Sequence, residues 1–183
     1  MAQASPRPPD ARRRIIKNIS FALTTPQFYR RTKIVTRRLG WEDLEPGVNL
    51  CGVKKAQGIK AGSLERLAII NVQSVRRERL NEITPEDVTL EGFPGMRPRD
   101  FVTMFVESHE SCTRRSKVTR IQYQYVPGGR FVVRGFCRIC GCSEYDACTP
   151  NAHGDTCCWV DDQGRLTTSP TTLCSRCAFI EQF

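Results

Sequence analysis

The sequence predicts an α+β domain followed by a small cysteine-rich module. Several stretches alternate apolar and polar residues with the two-residue period of a β-strand, most clearly residues 118–126. Two segments carry Pro where a helix is expected to begin, and residues 99–109 repeat apolar side chains at helical spacing. Eight of the ten cysteines lie between Cys137 and Cys177, which sets this part of the chain apart.

The chain is predicted to have three parts. Residues 1–14 are mostly Pro, Ala and Arg, and they predict a disordered basic arm because they can bury little apolar surface. Residues 15–136 form the predicted α+β domain, and residues 137–183 form the cysteine-rich module. A length of 183 residues fits one ordinary domain with such an addition.

The first half of the domain contains strands and one short helix. Strands are predicted at 15–23, 34–37 and 48–53, and a helix with Pro26 in its first turn follows the first strand. Residues 64–75 are the longest apolar strand pattern, so they are expected at the centre of the sheet, with Arg76, Arg77 and Arg79 at its exit.

The second half contains two further helices and two strands. Thr84 is the predicted N-cap of a helix with Pro85 at its first position. The amphipathic helix 99–109 ends at His109, which is interpreted as structural because a helix dipole favours a cation there. The last strands, 118–126 and 130–136, are expected to flank a Pro-Gly-Gly turn.

The net charge of +9 is unevenly distributed. Residues 137–183 contain three basic and six acidic residues, which leaves 25 basic and 13 acidic residues, or +12, for residues 1–136. A polyanion is therefore the expected partner of the first part of the chain. No run approaches the ~20 apolar residues of a membrane span.

The N-terminus has charged residues but no apolar segment of the length that a secretory signal needs. The expected location is therefore cytoplasmic. The Arg-rich first twenty residues, in which Asp10 is the only acidic residue, are also compatible with a transit peptide.

A cationic stretch at residues 30–41 is the first candidate site. Lys33 can bend toward Thr36, so that an ammonium, a hydroxyl and the guanidiniums of Arg37 and Arg38 meet. Such a group suits a phosphate or a polar base, or it can activate the hydroxyl as a nucleophile. The alternative is a solvated charged face.

Three motifs resemble the ASCH family, a group of small PUA-like mixed β-barrels with short helices. Lys33-x-x-Thr36-x-Arg38 follows the Pro-started helix, residues 70–80 resemble the central strand, and residues 86–94 resemble the Glu-Gly-Phe segment. The resemblance spans Ile15 to Val126. It implies a PUA-like barrel that binds nucleic acid or a modified nucleoside, with RNA favoured.

The resemblance and the basic charge together suggest a set of binding residues. The residues expected to contact nucleic acid are Arg31, Lys33, Arg37, Arg38, Lys54, Lys55, Arg76 and Arg77.

The resemblance also implies an alternative function, because some ASCH proteins are amidohydrolases that remove an acyl group from the exocyclic amine of a modified cytidine, and others are nucleases. In an amidohydrolase, Thr36 would be the nucleophile, Lys33 its base and Glu91 the supporting carboxylate. Here Ile34 stands where the family usually has Thr.

The cysteine-rich module predicts a structural metal site. Two Cys-x2-Cys pairs predict a tetrahedral zinc site of Cys137, Cys140, Cys174 and Cys177. A second zinc site is expected from Cys142, Cys148, Cys157 or Cys158, and His153. The alternatives are an iron–sulfur cluster, a single zinc ion or a disulfide scaffold. The module resembles a cysteine-rich tail of bacterial and phage proteins, and a protein partner at this module is a further possibility.

Overall fold

The computed structural model describes residues 17–60, 62–148 and 154–181. The predicted basic arm and His153 lie outside the described residues. A five-stranded mixed sheet dominates the fold, and its strands are β1 (Lys17–Ser20), β2 (Val35–Arg38), β3 (Asn49–Val53), β4 (Arg66–Arg79) and β5 (Lys117–Arg130). The helices are α1 (Thr25–Tyr29), α2 (Pro85–Leu90), α3 (Pro98–Glu107) and α4 (Ser175–Glu181), and a small hairpin pairs β6 (Trp159–Val160) with β7 (Leu166–Thr167).

The order of the strands in the large sheet is β1-β3-β4-β5-β2, so β4 lies at the centre, as the apolar pattern predicts. The β1–β3 pair is parallel, whereas the other pairs are antiparallel. The α+β class, the mixed sheet and the short helices are therefore confirmed. A closed barrel is not seen, because β1 and β2 form the two edges of the described sheet.

Two strand boundaries differ from the predictions. Strand β4 continues to Arg79, so Arg76 and Arg77 lie within it, because each has a ladder partner in β5. The predicted strand 130–136 does not form. Instead, β5 continues through the Pro-Gly-Gly segment to Arg130. The pairing of β4 with β5 shifts in register between Ala68 and Ile70, opposite this segment.

Two apolar clusters support the sheet. One contains the stacked rings of Phe21 and Phe28, whose centroids are 3.8 Å apart, together with Tyr123 and other buried residues of β3, β4 and β5. The other lies between α2, α3 and the start of β5. Gly52 allows α1 to approach β3, because a Cβ there would lie 2.3 Å from Cζ of Phe28.

The cysteine-rich segment packs against the end of α1. Arg130 donates hydrogen bonds to the carbonyl oxygens of Arg138 at 3.0 Å and Ile139 at 2.8 Å. A Cβ at Gly141 would lie 2.8 Å from the carbonyl oxygen of Tyr29, so a side chain is not tolerated at this contact. The longest described helix, α3, has only ten residues, and none of the described helices has the length and apolar character to cross a membrane.

Candidate functional site

A cleft of about 380 Å³ lies between β2, the end of α2, α3 and residues 20–24. All three predicted catalytic residues, Lys33, Thr36 and Glu91, line this cleft. Arg37 and Arg38 line it as well. The structure therefore brings the cationic stretch together with a carboxylate that is 58 positions away in the sequence.

The backbone at Lys33 is held from two sides. The hydroxyls of Tyr123 and Tyr125 donate hydrogen bonds to the carbonyl oxygen of Lys33 at 2.9 and 2.8 Å. The amide of Ile34 donates to the carbonyl oxygen of Leu90 at 2.9 Å. These contacts attach the start of β2 to both β5 and α2, so the position of Lys33 is determined by tertiary structure.

The ammonium of Lys33 is buried beside Glu91. Its Nζ contacts the Glu91 carboxylate and also donates to the Glu91 carbonyl oxygen at 3.0 Å. Burial lowers the pKa of Lys33, the Glu91 charge partly offsets this effect, and Arg38 and Arg37 lower the pKa further. Lys33 therefore loses its proton more readily than an exposed lysine, as a catalytic base requires.

Glu91 is positioned by the end of α2. The helix begins at Thr84, whose hydroxyl accepts a hydrogen bond from the amide of Asp87 at 3.2 Å, as predicted for the N-cap. The next residue, Gly92, has a φ of +90°, and a Cβ there would lie 2.7 Å from Cβ of Gln27. The absence of a side chain at Gly92 thus lets the end of α2 pack closely against Gln27 and Lys33.

Arg37 is fully buried and organises the carboxylates behind the cleft. Its Nε donates to Glu78 at 2.8 Å, its Nη1 donates to Glu91 at 3.2 Å, and its Nη2 contacts the Asp87 carboxylate. Arg120 also donates to Asp87, at 2.7 Å. These ion pairs occupy the Arg37 guanidinium, so its contacts support a positioning role rather than direct phosphate binding.

The same ion pairs control the charge of Asp87. Burial acts to raise its pKa, but the hydrogen bonds from Arg120 and Arg37 outweigh burial and lower the pKa to about 2. Asp87 is therefore ionised at neutral pH and balances part of the charge of the two buried guanidiniums.

Arg38 lines the cleft, and one donor of its guanidinium is unpaired. One Nη2 proton goes to the carbonyl oxygen of Ser20, and the guanidinium lies 5.1 Å from the ring centroid of Phe21. Its Nε is buried without a hydrogen-bond partner. Since an unpaired buried donor is costly, a ligand with an acceptor at this position would gain a hydrogen bond.

Several aromatic side chains belong to the remaining wall of the cleft. These side chains are Phe21, Phe93, Phe101, Phe105 and His109. The His109 ring stacks on Phe105 at a centroid distance of 4.2 Å, and its Nδ1 lies 2.8 Å from the Phe105 carbonyl oxygen. His109 thus has the structural contacts that its helix position predicts, but it also faces the cleft, which sequence spacing does not reveal.

The eight predicted nucleic-acid-binding residues do not form a single open basic surface in the described structure. Five of them pair with carboxylates: Lys33, Arg37, Lys54, Arg76 and Arg77. Arg38 lines the cleft, whereas Arg31 and Lys55 are exposed on the surface. The guanidinium of Arg31 lies 5.4 Å from the ring centroid of Tyr125.

A second candidate site is a cluster of thiols at the C-terminal side. Two sets of four Sγ atoms lie within 4.8 Å of one another: Cys137, Cys140, Cys142 and Cys174, and Cys142, Cys148, Cys157 and Cys174. The clustering of cysteines that the sequence predicts is confirmed, and either set can hold a metal ion. None of the ten cysteines, all of which are described, forms a disulfide.

The thiol sets differ in two respects from the predicted grouping, because Cys177 belongs to neither set, whereas Cys142 and Cys174 belong to both. Cys177 is buried in the same cluster but belongs to neither set, and Cys142 takes its place beside Cys137, Cys140 and Cys174. Cys158 is exposed and lies outside both sets, so Cys157 is the member of the adjacent pair that joins the cluster.

Comparisons with known proteins identify no family for this chain. No family model matches, and no curated protein matches. Among solved structures, a crystal structure of an Enterococcus faecalis V583 protein described under the family model DUF984 is similar, with a TM-score of 0.42 and 14% sequence identity. The similarity covers 60% of this chain and 72% of the other chain.

Proposed function

We propose that this protein binds a modified nucleoside, free or within an RNA strand, in the cleft that contains Lys33, Thr36 and Glu91. The observation that carries the proposal is the convergence of these three residues on one cleft with an aromatic wall. Aromatic rings stack on nucleobases, and the guanidinium of Arg38, a residue that lines the cleft, is a donor for a base carbonyl or ring nitrogen. This function agrees with the ASCH resemblance.

The charge pairing favours base recognition in the cleft over recognition of the phosphate backbone alone. Most of the predicted phosphate-binding side chains already contact carboxylates. The +12 charge of residues 1–136 still attracts a polyanion at long range. RNA therefore remains the favoured macromolecular form of the ligand, with an unpaired nucleotide entering the cleft.

Calorimetric titration with N4-acetylcytidine, cytidine and uridine tests this proposal. We expect the acylated nucleoside to bind with a Kd between about 1 µM and 1 mM, which corresponds to a binding free energy of about −8 to −4 kcal/mol. Arg38→Met removes the cleft donor and is expected to weaken binding about tenfold. Arg99→Met makes the same change at an exposed site on α3 and should leave binding unchanged. Undetectable binding of all three nucleosides contradicts the proposal.

A second candidate function is hydrolysis of the acyl group, and the buried Lys33 with its lowered pKa is the observation that favours it. The Thr36 hydroxyl attacks the acyl carbonyl while Lys33 takes the hydroxyl proton. Lys33 then gives this proton to the departing exocyclic amine, and water hydrolyses the threonyl ester in the second half of the reaction. Glu91 orients the Lys33 ammonium through their ion pair.

Release of acetate from N4-acetylcytidine, followed by chromatography of the nucleoside, tests the hydrolase. Turnover that depends on Thr36 supports it. If the wild-type protein binds the nucleoside but leaves it intact, the protein is a binding module and the hydrolase proposal is wrong.

We also propose that the thiol cluster binds zinc in a structural role. In a tetrahedral site with Zn–S bonds of about 2.3 Å, neighbouring sulfurs are about 3.8 Å apart. The Sγ atoms of Cys140 and Cys174 are 3.8 Å apart, and those of Cys142 and Cys157 are 3.6 Å apart. Elemental analysis of protein purified under reducing conditions tests the assignment. Iron with acid-labile sulfide would contradict it.

A further inference from the structure

The two sets of four thiols overlap. Cys142 and Cys174 belong to both sets, so the two sets of four together contain only six different cysteines. Because these two cysteines belong to both sets, the two potential tetrahedra have an edge in common.

The charge of the cluster also favours two ions that share thiolates over two ions with separate ligands. Two divalent ions bound by eight separate thiolates would leave roughly four negative charges, whereas six thiolates leave roughly two. The segment lies in a well-packed environment in which Cys142 and Cys174 are each 1% exposed. Uncompensated charge is costly at buried positions. Cys142 and Cys174 are the most buried thiols of the second set, so they are the thiolates best placed to contact two cations.

We propose that the cluster binds two zinc ions as one dinuclear unit, joined by the thiolates of Cys142 and Cys174. Cys137 and Cys140 complete the first tetrahedron, and Cys148 and Cys157 complete the second. Cys177 is then a buried neighbour of the unit rather than a ligand, unlike in the grouping that the two Cys-x2-Cys pairs suggest. This proposal rests on the proposed zinc binding.

The first test uses the wild-type chain with zinc replaced by cadmium-113. Two metal signals are expected, each split by coupling to the other, because such coupling is transmitted through a shared sulfur atom. Elemental analysis should give two ions per chain. One ion per chain, or two signals without mutual coupling, overturns the sharing of thiolates while leaving zinc binding intact. A chain without metal overturns zinc binding itself.

The second test compares three single substitutions by metal content. Cys142→Ser removes a ligand of both ions and is expected to lower the content below two ions and to abolish the coupling. Cys158→Ser is the matched control, since this thiol is exposed and lies outside both sets. Cys177→Ser is expected to retain two coupled ions. If Cys177→Ser loses an ion, Cys177 is a ligand, and the proposal that Cys142 and Cys174 are shared is wrong.

Discussion

The Thr36 side chain is buried on β2 and lines the same cleft as Lys33 and Glu91. Lys33 is only 2% exposed, and burial lowers its pKa, whereas the neighbouring Glu91 carboxylate favours the charged ammonium. In the proposed hydrolase, the hydroxyl of Thr36 is the nucleophile, so its removal is the most direct test of catalysis.

Substitution of Thr36 separates catalysis from binding. Thr36→Val preserves the size of the side chain and removes the hydroxyl, so we expect turnover of N4-acetylcytidine to fall about 10³-fold or more with little change in Kd. Thr36→Ser keeps a hydroxyl and should retain measurable turnover. Equal activity of the valine and serine variants would show that Thr36 is not the nucleophile.

Lys33 allows a complementary test, in which charge is kept but basicity is lost. Lys33→Arg retains a cation beside Glu91, although an arginine cannot act as a base near neutral pH. We expect this variant to lose turnover and to keep its affinity for the nucleoside within about tenfold. Circular dichroism controls for folding, and unchanged turnover would exclude Lys33 as the base.

Gly92 provides a prediction about stability. Its φ of +90° and the 2.7 Å approach to Gln27 both oppose a side chain, so Gly92→Ala is expected to lower the free energy of unfolding by about 2–4 kcal/mol. Gly95→Ala is the matched control, because Gly95 has a φ of +84° with no atom near its hypothetical Cβ. Urea unfolding should give a clearly larger loss for Gly92→Ala than for Gly95→Ala.

At the scale of elements, the carboxylates of α2 connect the helix to the sheet. Asp87 on α2 receives hydrogen bonds from Arg37 on β2 and Arg120 on β5, which are adjacent antiparallel strands. The helix that carries Glu91 at its end is thereby attached to the sheet that carries Lys33. The geometry of the cleft consequently depends on buried ion pairs as well as on apolar packing.

This attachment is expected to weaken in acid. The folded pKa of Asp87, about 2, lies below the ordinary value of 3.8, so its stabilisation is complete above about pH 4 and is lost as the pH falls toward 2. The difference corresponds to about 2 kcal/mol. Unfolding should be measured at pH 7 and pH 3 for the wild type and Asp87→Asn, and the wild type should lose more stability on acidification.

The cysteine cluster also responds to acid, but both proteins contain it, so its effect cancels in that comparison. Asp100→Asn is a suitable second control because Asp100 is a half-exposed residue that is paired with Arg97 on the surface of α3. If the wild type and Asp87→Asn lose the same stability between the two pH values, Asp87 does not contribute through its charge.

At the scale of the whole molecule, the thiol cluster and the cleft are joined through the end of α1. Arg30 donates to the carbonyl oxygen of Ala147 at 2.8 Å, and Arg130 donates to that of Tyr29 at 2.8 Å. Tyr29 and Arg30 directly precede the segment that leads to Lys33. Loss of the proposed zinc is therefore expected to affect the cleft, although no thiol lines it.

Chelation tests this connection. Removal of the metal should lower the Tm and should increase amide hydrogen exchange both in the cysteine-rich segment and at residues 30–34. Affinity for the nucleoside should fall at the same time and recover when zinc is restored. Unchanged exchange at residues 30–34 in the metal-free protein would mean that the two sites are independent.

The overall charge leads to a different prediction for RNA. If residues 1–136 attract an RNA strand through their +12 charge, log Kd should rise linearly with log salt concentration. Binding of an uncharged nucleoside in the cleft should depend little on salt. Titrations at two ionic strengths with an RNA strand and with the nucleoside distinguish these contributions. A flat response for RNA would contradict the electrostatic part of the proposal.

Local patterns in the sequence determined much of the secondary structure. Alternation and apolar length indicated the central strand β4, and Thr84 with Pro85 indicated the start of α2. Such features depend on residues within a few positions of one another, so they can be read without knowledge of the fold. The concentration of cysteines likewise predicted a cluster, which the structure contains.

Tertiary structure decided which distant residues meet. The partners of Arg37 are Glu78, Asp87 and Glu91, which are 41 to 54 positions away, and no sequence period specifies such pairs. The grouping of Cys142 with Cys137, Cys140 and Cys174 was also not evident from the Cys-x2-Cys spacing. These contacts depend on strand register and on the packing of α1 and α2, because backbone pairing across the sheet determines which buried charges and thiols become neighbours.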